Sequence, residues 1–133
     1  MGQQILNPID VAGWQENQDW ISTGTLPMRW EFGDYLINRY YAANKDQFRS
    51  LLKDMVGINN DNPESIVRTV KEYMFCNYEI LSDELNDAIS IFKGDIPDNY
   101  FDGGGWNIDD STVPKQFYDL LRFFVTLPEF QLK

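Results

Sequence analysis

Residues 44–57 read NKDQFRSLLKDMVG. Phe48, Leu51, Leu52, Met55 and Val56 recur at intervals of three and four, which places them on one stripe of a 3.6-residue helix. Asn44 or Asp46 caps the start, because a short polar side chain satisfies N–H groups that the first turn leaves free. Gly57 closes the end, where glycine takes a left-handed conformation without a Cβ penalty. Start, stripe and stop agree, and they set the expectation for the rest of the chain.

Working outward, the same signals recur. Thr25 is an N-cap with Pro27 in the first turn, and a first helix follows to about Tyr40 with Leu26, Trp30, Gly33 and Ile37 on one stripe. Asn62-Pro63-Glu64 reads as cap, N1 proline and first-turn acid of a third helix, which carries Ile66, Val67, Val70 and Met74 and ends near Cys76. Ser82-Asp83-Glu84 opens a fourth, with Leu85, Ala88, Ile89 and Phe92 inward, Leu81 stapling the entry and Gly94 closing it. A fifth runs from about Pro114 to Thr126 with Phe117, Leu120, Leu121 and Phe124 on one face, until Pro128 stops it. No segment alternates with period two. The expected fold is therefore all-α, a bundle of about five helices, with the second and fifth central through Leu51, Leu52, Met55, Phe117, Leu121 and Phe124. The chain of 133 residues fits a single domain over 1–133.

Two stretches lack periodicity. Residues 1–24 are punctuated by Asn7-Pro8, Gly13 and Gly24 and need side-chain anchors, for which Ile5, Leu6, Val11, Trp14, Trp20 and Ile21 are suited. Residues 94–113 hold Asp95, Asp98, Asp102, Asp109 and Asp110 with no Lys or Arg, and form one long acidic loop.

Composition narrows the function classes. With 11 Lys and Arg against 21 Asp and Glu, the net charge is -10, which repels phosphate backbones, so nucleic acid is not an expected partner. No apolar run approaches the roughly 18 residues of a membrane span. Histidine is absent, which removes Ser-His-Asp and Cys-His nucleophile arrangements and nearly all zinc sites. The single cysteine, Cys76, follows Tyr73-Met74-Phe75 and reads as a buried, inert thiol. Tyr40-Tyr41 and Phe123-Phe124 read as core rather than as cofactor contacts, and no cofactor is expected.

Three constellations remain. Asp10 with Trp14 and Trp20 can form an aromatic platform with a polar contact, on which a sugar would stack. Equally, Asp10 can bond nearby backbone N–H groups while Trp14 plugs the core. Within 98–109, Asp98, Asp102, Gly103 and Asp109 fall at positions one, five, six and twelve of a calcium loop, and those three aspartates are the candidate calcium ligands. Tyr100 and Trp106 occupy the third and ninth positions, where ligands are usual, which favours instead an acidic loop pinned by Trp106. Trp106 is the remaining candidate for ligand contact.

The N-terminal run Gly2-Gln3-Gln4-Ile5-Leu6-Asn7-Pro8-Ile9-Asp10-Val11-Ala12-Gly13-Trp14, followed by Trp20-Ile21, resembles the signature of the bacterial family listed as domain of unknown function eighteen-hundred. The ending Leu127-Pro128-Glu129-Phe130-Gln131-Leu132-Lys133 is similar to the Ser-Pro-Glu-Phe-Gln ending typical of the same family. Members usually carry Pro-Gly-Gly after the tryptophan, where this chain has Gln15-Glu16-Asn17. The resemblance implies the C-terminal part of a longer protein whose full-length relatives are exported, and it implies no reaction. The expected role is a non-catalytic helical module completing a larger exported, envelope or periplasmic protein, with the rest of that polypeptide or another protein as partner. The alternatives are part of a carbohydrate- or peptide-directed enzyme or binding protein using Trp and Asp, and a calcium-stabilised binding domain.

Overall fold

The computed structural model describes residues 23–76 and 79–131, and every regular element among them is helical. In chain order these are α1 (Thr25–Ala43), α2 (Lys45–Val56), α3 (Pro63–Phe75), α4 (Ser82–Lys93), α5 (Asp98–Asp102), α6 (Val113–Thr126) and α7 (Pro128–Gln131). The fold is all-α, as the periodicity requires.

Local chemistry explains most boundaries. Asn62 accepts the Ser65 N–H at 3.1 Å and Pro63 takes the first position of α3. Glu84 reaches back to the Leu81 N–H at 3.1 Å and so satisfies a free donor at the start of α4. Gly57 at φ 92 and Gly94 at φ 59 end α2 and α4, both in a region that side chains with a Cβ avoid.

Several elements depart from expectation. α1 starts where the sequence indicates but runs three residues further, to Ala43, with Gly24 rather than Thr25 in the capping position. Pro128 does more than end a helix: it is the first residue of α7, where a missing N–H costs nothing. The acidic stretch is not a plain loop, since it contains α5 and sinks Trp106 and Ile108 into the core, each 1% exposed. Seven helices thus stand among the described residues in place of about five. Leu51, read as a core residue, is 42% exposed, whereas its neighbour Leu52 is fully buried. Cys76 is exposed, because α3 ends at Phe75 and the chain turns at Cys76 with φ 54, leaving Phe75 to take the buried position.

α6 is the central element and packs against α4, α1 and α2, and more lightly against α3 and α7. Aromatic rings bridge these contacts. Phe48 of α2 meets Phe117 of α6 edge-on at 5.7 Å, and Phe75 of α3 meets Phe124 at 5.3 Å. Leu52, Ile66, Val70, Ala88, Phe92 and Leu120 fill the space between, all fully buried. No helix among the described residues is long and apolar enough to cross a membrane.

Candidate functional site

The acidic stretch is tied down by bases from other helices. Asp109 pairs with Lys53 of α2, Asp98 with Lys93 of α4 at 2.8 Å, and Arg49 of α2 donates to the Asp110 carbonyl at 3.1 Å. Asp61 accepts the Ile108 N–H at 3.1 Å, fixing the far side to the start of α3. Asp98 and Asp109 therefore serve different lysines on different helices, and Asp102 lies at the end of α5 on the rim of a polar cleft with Asp61 and Glu64. Among the described residues no group of three or more His, Cys, Asp or Glu side chains is placed to hold a metal ion. Asp10, Trp14 and Trp20 lie outside the described residues.

Trp106 faces the core. Its ring packs on Phe92 and Phe101, and its indole N–H donates to Gln116 Oε1 at 3.1 Å. Gln116 in turn donates through Nε2 to the Phe92 carbonyl at 2.9 Å, in the last turn of α4, where carbonyls lack an intrahelical donor. One glutamine thus joins the 103–112 segment, α4 and α6. Gln131 acts in the same way at the other end of the bundle, donating to the Val125 carbonyl near the end of α6 at 2.6 Å. These are the two buried polar side chains among the described residues, and both cap a neighbouring helix end. Sequence reasoning passed over both. The available signal was that Gln116 sits in the apolar stripe Val113, Phe117, Leu120 and Phe124, a place for a polar group only if it is paired.

α1 is the anomaly. None of its 19 residues is buried, although it carries Leu26, Met28, Trp30, Phe32, Leu36 and Ile37. Its inner side is fastened to α6 by polar and aromatic contacts: Tyr41 stacks on Tyr118 at 4.4 Å, the Tyr118 hydroxyl donates to Asn38, and Arg122 pairs with Asp34. The hydrogen bond to Asp34 holds the Arg122 guanidinium above its ordinary pKa, so it is charged at any working pH. The outer side remains open. Met28 is 52% exposed, Phe32 45% and Leu36 47%.

Where α1 passes the end of α6, Phe32, Leu36, Ile37, Val125 and Phe130 line a groove of roughly 430 Å³ with Arg29 at its edge. Gly33 lines it too, and brings α1 close to α6, since a Cβ there would stand 3.4 Å from Val125. Phe130 and Gln131 belong to the C-terminal motif, so that motif both caps α6 and shapes this groove.

The C-terminal motif now has its structural setting, and a family model described as "Protein of unknown function (DUF1800)" matches residues 1–132. The chain belongs to the DUF1800 family. No similar curated protein and no similar solved structure was found. In this DUF1800 chain the apolar groove and the adjoining outer face of α1 constitute the candidate binding site.

Proposed function

We propose that this chain is a non-catalytic helical module that packs against, and completes, a larger parent protein. The observation that supports it is the state of α1. A helix that carries Leu26, Met28, Trp30, Phe32, Leu36 and Ile37 would ordinarily bury part of that surface, yet no residue of α1 is buried. Exposed patches of this kind mark interaction surfaces. Histidine is absent and Asp98 and Asp109 are held by lysines, which supports a non-catalytic role. The resemblance to exported bacterial proteins supplies the setting of the proposal, an envelope or periplasmic protein.

The test is to express the remainder of the proposed parent protein separately and mix it with this chain. A stoichiometric complex on size exclusion, weakened by Trp30→Ala, is expected, with no hydrolytic activity from this chain alone. A chain that is fully stable as a monomer and takes up no part of that parent would remove the reading.

A further inference from the structure

We infer that a second copy of this chain docks on the outward stripe of α1, antiparallel and about a two-fold axis at Tyr35, so that Glu31 of each copy meets Arg39 of the other. The stripe is a different face of α1 from the groove, so the inference goes beyond the module reading and is tested apart from it.

Helix geometry defines the stripe. Met28, Glu31, Tyr35, Arg39 and Ala42 follow one another at intervals of three and four, which stacks them on one side of α1. All five are exposed, Met28 at 52% and Tyr35 at 53%, and none of them lines the groove. The side that carries Ile37 and Tyr41 packs on the core, so the stripe faces away from the bundle. Its order is its own complement. Positions 28 and 42, and positions 31 and 39, lie at equal distances either side of Tyr35. An antiparallel copy therefore sets Met28 against Ala42, Glu31 against Arg39 and Tyr35 against its own counterpart, the self-matching that a two-fold interface requires. A parallel copy would oppose Glu31 to Glu31 and Arg39 to Arg39, so the charges select the antiparallel arrangement.

Both charges lack a counter-ion within their own copy. Among the described residues neither Glu31 nor Arg39 enters an ion pair. Three and four positions from Glu31 stand Pro27, Met28, Asp34 and Tyr35, and at the same distances from Arg39 stand Tyr35, Leu36, Ala42 and Ala43, so α1 itself supplies neither with a partner of opposite sign. Arg39 is already placed for the contact, since its guanidinium donates to the Tyr35 hydroxyl at 2.6 Å and so stands beside the axis, with further N–H groups to offer a carboxylate. Charge also favours this surface over others. A net charge of -10 makes two copies repel each other as a whole. Along α1 that repulsion is missing, because Arg29 and Arg39 balance Glu31 and Asp34. One face of one helix is a small contact, so the dimer is a transient one.

The experiment is sedimentation equilibrium of the full chain over a concentration series, with reductant present because Cys76 is exposed. A monomer–dimer equilibrium is expected. Glu31→Arg alone and Arg39→Glu alone should each weaken it by about tenfold, since either change replaces two attractions by two repulsions. The two variants mixed in equal amounts should associate as the wild type does, because the mixed pair restores both contacts. Tyr35→Asp, which puts two carboxylates across the axis, should leave a monomer with an unchanged helical spectrum. A chain that stays monomeric up to about 1 mM overturns the inference. So does a dimer that Tyr35→Asp leaves intact, or one that the mixed variants fail to restore, since its interface then lies elsewhere. If the chain is monomeric and Glu31→Arg instead weakens uptake of the remainder of the proposed parent, the stripe belongs to that protein: the inference falls and the module reading stands.

Discussion

Replacing Gln116 with leucine tests the buried polar link that organises one end of the bundle. Leucine matches glutamine closely in size, so the change opens little space. It removes the acceptor of the Trp106 indole N–H and the donor to the Phe92 carbonyl at once. Both groups stay buried, since Trp106 is 1% exposed and Phe92 fully buried. Each unpaired group costs about 1–3 kcal/mol, so the pair costs about 2–6 kcal/mol. Burying leucine in place of the amide returns about 1.5 kcal/mol, leaving a net loss of about 0.5–4.5 kcal/mol. For a domain of this length that lowers Tm by roughly 3–15 °C. Urea unfolding followed by far-ultraviolet circular dichroism measures it without relying on Trp106 fluorescence. Trp106→Phe should then cost less in the Gln116→Leu background than in the wild type, because its N–H no longer has an acceptor to lose. A Gln116→Leu loss below about 0.5 kcal/mol, or strict additivity of the two changes, would refute the reasoning.

Other consequences are direct. Leu52→Ala should cost about 2–5 kcal/mol, as truncation of a fully buried leucine does, while Leu51→Ala, next to it but 42% exposed, should cost well under half as much; urea midpoints measured side by side decide this. Asn62→Ala removes the acceptor of the Ser65 N–H and should lower stability by about 1 kcal/mol, with Asn62→Asp retaining most of it. Millimolar calcium should move Tm little, because Asp98 and Asp109 are occupied by Lys93 and Lys53; a large rise abolished by Asp98→Ala with Asp102→Ala would show that the ion displaces those lysines.

Much of the fold was present in local sequence chemistry. The positions of α2, α3, α4 and α6 followed from apolar spacing, because helix period and burial act on the same residues over one or two turns. Asn62-Pro63, Gly57 and Gly94 marked boundaries because caps and positive φ are properties of single residues. The family assignment also came from sequence, through the two end motifs. Charge and the absence of histidine excluded chemistry without any coordinates.

The remainder depended on what lies far away along the chain. A stripe shows that a helix has an inner face but not its exact bearing, and the choice between Leu51 and Leu52 was made by the helices packed on α2, chiefly α6 and α3. Cys76 stood among apolar neighbours, yet the end of α3 turned it outward, because one residue beyond a helix end the stripe no longer sets direction. The acidic stretch looked solvated because its counter-charges, Lys53 and Lys93, come from α2 and α4 and only the fold brings them together. Gln116 counts as a polar interruption until Trp106 and the end of α4 close on it. The groove is likewise a tertiary object: Arg29 and Phe32 on α1 meet Val125 and Phe130 from nearly a hundred residues later, and no local pattern encodes a space between them. Burial is decided by the whole set of neighbours, while periodicity reports one helix at a time.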